Sequence, residues 1–283
     1  IMSATPDPRC DDASTTHARQ ARRHSQAIID RFTAAGTWGS ETIDDRFRAN
    51  VAGHGDRLAV ADAPNRSTFT DRPPQRLTYD ELASEVDNAA TLMRELGVQD
   101  GDVVVYQLPN VVEAVVLLLA CARVGAVISP LLVQFEENEV AQTVARLRPK
   151  LFFASRFKKR NLAADAEAVC APLGCKVVHV HDGIPRASAT VVDAPAAADA
   201  NALFSICWTS GTEGEPKGVM RTHNNWFATG RSMHSSAGLR GGDVILTIRP
   251  LVNMAAIGGS FMSWLLCAGT LILHHPLDMD VVL

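Results

Sequence analysis

The sequence predicts an α/β fold in which largely parallel sheets are covered by helices. Three observations lead there. Short, continuously apolar runs recur at 103–108, 126–129, 151–154 and 176–180, and strands apolar on both faces belong to parallel sheets covered on both sides. Segments of helical apolar spacing fall between those runs, the alternation expected of βαβ units. At 283 residues, 47% hydrophobic and 20% charged, the chain can bury a sizeable core.

Each element follows from local pattern. Residues 25–35 (Ile28, Ile29, Phe32) and 43–51 (Phe47, Val51) have helical spacing, and 58–61 is a short strand-type run before a loop at 64–74. Thr78 caps a helix reaching Leu96, with Leu82, Val86, Ala89, Ala90 and Met93 on its apolar face and Gly97 ending it. After the strand at 103–108, Pro109-Asn110 opens a helix at 111–124; a strand at 126–129, a helix at 136–147, a strand at 151–154, a helix at 162–173 and a strand at 176–180 follow. An Ala- and Pro-rich connector covers 183–201. Beyond it, a strand at 202–208 feeds a glycine-rich turn, then come a helix at 224–236, a strand at 244–248 and a last strand at 271–274. The uncharged stretch 251–269 is broken by glycines. It reads as a buried helix and strand rather than a membrane span, which needs ~20 apolar residues.

This pattern divides the chain into a disordered polar tail (1–24), a first α/β subdomain region (25–190), and a phosphate-loop region with an incomplete second α/β subdomain (191–283). Leu283 follows a helix start at Pro276-Leu277-Asp278, so the sequence reads as ending inside a domain. The net charge of −4 makes no electrostatic case for a nucleic-acid partner. Six cysteines (Cys10, Cys121, Cys170, Cys175, Cys207 and Cys267) show neither CxxC nor Cys/His zinc spacing. They read as free thiols of a reducing, cytoplasmic setting. His179 and His181 alternate along one strand without a third ligand, and the basic run 156–160 reads as a solvated face.

Only five lysines occur, and one lies in the most informative segment, residues 208–219. There Thr209, Ser210 and Thr212 supply hydroxyls, Gly211, Gly214 and Gly218 allow close backbone approach, and Lys217 adds a charge, directly after an apolar strand. That is chemistry for gripping a polyphosphate. A polar hairpin turn uses the same residue types. The spacing is neither a Walker A loop nor a dinucleotide fingerprint.

The run Thr209-Ser210-Gly211-Thr212-Glu213-Gly214-Glu215-Pro216-Lys217-Gly218 closely resembles the phosphate-binding signature of the adenylate-forming superfamily of acyl-CoA synthetases, luciferases and peptide-synthetase adenylation domains. Thr222-His223-Asn224-Asn225, Leu77-Thr78-Tyr79-Asp80-Glu81-Leu82, Gly101-Asp102-Val103, Pro109-Asn110-x-x-Glu113 and Gly125-Ala126-Val127 match further motifs in register. Glu213 stands where that family most often has threonine. The resemblance implies the N-terminal domain of the acyl-CoA synthetase fold, two α/β subdomains with the C-terminal lid absent. It implies an AMP-forming acid–thiol ligase using ATP, Mg2+ and coenzyme A on a small-molecule carboxylic acid. It assigns Thr209, Ser210, Gly211, Thr212, Glu213, Gly214 and Lys217 to the phosphates, Lys217 in the catalytic role. Asn253, where the family usually has histidine, is assigned to the acid with Met254 and Gly258. The 283 residues alone are expected to be inactive. Two alternatives stand beside this reading: a truncated homologue that binds without turnover, and an acyl-AMP ligase that loads a carrier protein.

Overall fold

The computed structural model describes residues 24–189, 199–209 and 217–282. In chain order the elements are α1 (Gln26–Ala34), α2 (Ile43–His54), β1 (Leu58–Ala61), β2 (Arg76–Thr78), α3 (Tyr79–Glu95), β3 (Val103–Gln107), α4 (Val112–Val124), β4 (Val127–Pro130), α5 (Glu137–Leu147) and β5 (Leu151–Ala154). There follow β6 (Arg156–Phe157), β7 (Arg160–Asn161), α6 (Leu162–Cys170), β8 (Lys176–His179), β9 (Leu203–Thr209), β10 (Lys217–Thr222), α7 (His223–Ser236), β11 (Val244–Thr247), α8 (Met254–Ala256), α9 (Met262–Cys267), β12 (Thr270–Leu273) and α10 (Met279–Val282).

Two sheets carry the fold. The larger has the order β10-β9-β4-β3-β5-β8, parallel throughout except for the β9–β10 pair. The smaller, β11-β12-β1-β2, is parallel except at β1–β2. The helix starts follow local chemistry: Thr78 and Thr222 each form a capping box, with Glu81 and Asn225 three residues on. α4 is buried at every position, so it is apolar all round where α3 shows a stripe. Its two charged residues are neutralised in place. Arg123 pairs with Asp44 and Asp87, and Glu113 with Arg66 and Arg72.

Both sheets draw strands from either side of the 190/191 division. β9 and β10 extend the larger sheet, while β1 and β2 join β11 and β12 in the smaller one. Stable sheets need neighbours in space, and hydrophobic pattern along the chain does not encode which strands pair. Four strands were not anticipated: β2 is only three residues long, β6 and β7 are two-residue strands within and beside the basic run, and β10 follows the glycine-rich turn. The stretch 251–269 does form a buried helix, but α8 and α9 are joined by a π-helical turn at Ile257–Phe261. Among the described residues no helix is long and apolar enough to cross a membrane.

Candidate functional site at the meeting of two sheet edges

β3, β4, β5, β8 and β9 run parallel, so their carboxyl ends share one edge, and β3 is where the strand order reverses. Crevices at such reversals are where open α/β sheets place ligands. The end of β3 is tied to the turn after β11, at the carboxyl edge of the second sheet. Asn110 donates from Nδ2 to the Arg249 carbonyl at 2.8 Å and accepts from the Leu251 amide at 2.8 Å. The Tyr106 hydroxyl donates to the Leu251 carbonyl. These bonds fix residues 249–251, and hence the start of α8, relative to the larger sheet.

At the same edge β9 leads into residues 210–216, and β10 returns antiparallel, with Lys217 opposite Thr209. Ser210, Gly211, Thr212, Glu213 and Gly214, which the sequence assigns to the phosphates, lie outside the described residues. Thr209 and Lys217 close the base of that segment, and Thr209 Oγ1 donates to the Lys217 carbonyl at 3.3 Å. The Lys217 side chain is exposed and joins no ion pair among the described residues. β9 and β10 pair on either side of the glycine-rich segment.

Strand alternation places Lys217, Val219 and Arg221 on one face of β10, with Thr209, Cys207 and Ser205 opposite them on β9. α7 covers that face: Trp226 Nε1 donates to Ser205 Oγ at 2.8 Å. The motif at 222–225 accounts for how α7 is seated. Thr222 caps the helix, and Asn224 bonds the backbone of Gly39 in both directions. Buried His223 accepts from the Ile43 amide through Nδ1 at 3.2 Å. Burial lowers its pKa to about 4, which keeps the ring neutral and able to accept.

At the start of α8, Asn253 is the N-cap; its Oδ1 accepts from the Ala256 amide at 2.9 Å, leaving Nδ2 as a donor. Met254 is half-buried and its sulfur accepts from Arg221 Nη2 at 3.6 Å. Gly258 sits in the π-helical turn where a Cβ would come 2.7 Å from Thr229 Cγ2 and 3.4 Å from Trp226, so packing against α7 accounts for glycine there. π-turns of this kind concentrate at functional sites. Arg221, which joins the two halves, was not among the residues singled out from the sequence. The signal was present as two cations four residues apart, but it becomes visible only once 217–222 is known to be a strand.

The other candidates are occupied elsewhere. β8 ends at His179, which bonds Glu167 at 2.7 Å, and His181 Nδ1 accepts from the Arg156 amide. Arg156 pairs with Asp71 and Arg160 with Asp165. The five described cysteines are free and buried.

This fold and hairpin define an adenylate-forming protein. The AMP-binding enzyme family model matches residues 47–282, and the chain belongs to that family. It is 30% identical over 233 residues to the medium-chain fatty-acid–CoA ligase of Escherichia coli (strain K12), covering 78% of this chain and 40% of that protein. Its fold resembles apo MbtA of Mycobacterium smegmatis, with TM-score 0.76, 23% identity, and coverage of 88% of this chain and 46% of that one. ATP-bound MatB from Rhodopseudomonas palustris gives TM-score 0.71 and 24% identity, covering 86% of this chain and 47% of that one. The chain therefore spans less than half the length of these relatives.

Proposed function

We propose that this chain carries the polyphosphate grip and part of the acid pocket of an AMP-forming acid–thiol ligase. In the reaction, a carboxylate oxygen of the acid attacks the α-phosphorus of ATP, the bond to the bridging oxygen breaks, and pyrophosphate leaves. The sulfur of a thiol, coenzyme A in the reading favoured here, then attacks the acyl carbon, the acyl–oxygen bond to the phosphate breaks, and AMP and the thiol proton leave. The observation that supports this best is the β9–β10 hairpin: a signature phosphate segment spans Thr209 to Lys217, and the same hairpin face leads to Met254.

The residues act by position and charge, since phosphoryl and adenylyl transfers ask little covalent chemistry of a protein. Thr209, Ser210, Gly211, Thr212, Glu213 and Gly214 would line the β- and γ-phosphates. Lys217 would supply the cation that offsets charge building on departing pyrophosphate. Asn253 would offer Nδ2 to the acid, with Met254 and Gly258 beside its apolar part. Bound Mg2+ would neutralise phosphate oxygens. Among the described residues no three His, Cys, Asp or Glu side chains cluster to hold a metal. The buried free thiols accord with a cytoplasmic setting.

The test is acid-dependent exchange of radiolabelled pyrophosphate into ATP by the full-length gene product, across a panel of carboxylic acids. Exchange with at least one acid supports the reading; none with any acid, at saturating ATP and Mg2+, defeats it.

A further inference from the structure

We propose that Arg221 is the residue that receives the carboxylate of the acid substrate, supplying from β10 the positive charge that Asn253 cannot. The inference rests on the acid-activating reading above and assigns the acid's anionic end to a specific side chain.

Four observations converge on Arg221. It shares the β10 face with Lys217, four residues away, which is about 13 Å along an extended strand. Two long cationic side chains on one strand face can serve two anions, a carboxylate at one and a polyphosphate at the other. The guanidinium is partly buried. It lies over the Trp226 ring at 5.5 Å, and its Nη2 reaches Met254 at 3.6 Å. Trp226 is itself fixed, fully buried and bonded to Ser205, so the platform is rigid.

The guanidinium is also short of partners. Its Nε is buried without a hydrogen bond, and among the described residues no carboxylate pairs with it. The buried arginines of the core differ: Arg66 and Arg123 each hold two carboxylates. A partly desolvated guanidinium that, among the described residues, meets a thioether and an indole face but no carboxylate gains most from an incoming anion, because its fork matches a carboxylate. Asn253, at the start of the helix that carries Met254, has already committed Oδ1 to capping and is neutral. Charge for the acid must come from elsewhere, and Arg221 lies against the next residue. Holding the carboxylate there also offsets its repulsion by the α-phosphate it must approach.

The experiment measures pyrophosphate release by the full-length gene product, with acetate, octanoate and benzoate as acids, for the native protein, Arg221→Gln and Arg221→Lys. With any acid that turns over, Arg221→Gln should raise KM for the acid on the order of 10- to 100-fold while KM for ATP stays within about twofold. Arg221→Lys, which keeps charge without the fork, should fall between. The primary amide of the same acid should inhibit native protein and Arg221→Gln about equally. If Arg221→Gln does not fold, the KM split of Arg221→Lys carries the test. An unchanged acid KM, or equal rises for acid and ATP, overturns the assignment and leaves acid activation standing. If these three acids give no pyrophosphate release, the wider panel is used, and no release by the native protein with any acid of that panel removes both.

Discussion

The Tyr106 hydroxyl, at the carboxyl end of one sheet, donates to the Leu251 carbonyl at the carboxyl end of the other. Asn110 grips the same turn from two sides, at Arg249 and at Leu251. Three hydrogen bonds between residues about 140 positions apart thus set the distance between the sheet of the β9–β10 hairpin and the helix capped by Asn253. Asn110→Ala strands the Leu251 amide in a buried site and should cost about 1–3 kcal/mol of stability. Tyr106→Phe should cost about 1–2 kcal/mol, since it leaves a buried carbonyl unpaired. Chemical denaturation of each variant checks both, and values within experimental error of the native protein would show that the turn is held by other contacts.

Lys217→Ala in the full-length gene product should slow acid-dependent pyrophosphate exchange by about tenfold or more, because one charge-assisted contact to the leaving group is lost. Equal exchange rates would take the lysine off the phosphates.

Asn253 caps α8, and the role proposed for it at the acid is separable from that one. Asn253→Asp retains an oxygen that accepts from the Ala256 amide, so stability should hold within about 0.5 kcal/mol; a carboxylate facing the acid should nevertheless raise its KM. Asn253→Ala should lose about 1 kcal/mol as a cap. Thermal unfolding and steady-state kinetics on the pair distinguish cap from substrate contact. An Asn253→Asp variant with native acid KM would confine the residue to capping.

Gly258→Ala places a methyl 2.7 Å from Thr229 Cγ2 and should destabilise by about 1–3 kcal/mol. Gly259→Ala, whose nearest contact is the flexible end of Met233 at 3.5 Å, should be tolerated. Equal stabilities in urea would show that α7 and the π-turn separate readily.

His223 makes stability depend on pH. Its imidazole titrates near 4 when folded against about 6.5 unfolded, so between those values the unfolded chain binds the extra proton. The neutral ring's contribution is complete above pH 6.5 and is lost as pH falls toward 4, to a limit of about 3 kcal/mol. His223→Gln should flatten the slope of unfolding free energy between pH 5 and 7, measured in urea; an unaltered slope would assign it to other groups.

Much of this protein was legible along the chain because its signals are local. Thr78 and Thr222 announce their helices through residues three positions on, continuous apolar runs mark β3, β4 and β5, and the glycine- and hydroxyl-rich run after β9 marks the segment proposed to hold the phosphates. The tertiary structure decided what depends on neighbours distant in sequence. It paired β1 with β12 across more than two hundred residues, gave Gly258 to the contact with α7, and set Asn110 against Leu251. Arg221 shows the difference most clearly. A basic residue is unremarkable in sequence, and only strand alternation on β10, the Trp226 platform and the lack of a carboxylate partner among the described residues distinguish it from a solvated charge. Hydrogen bonding and hydrophobic period act between near neighbours and can be read from order alone; packing and charge pairing act across space and cannot.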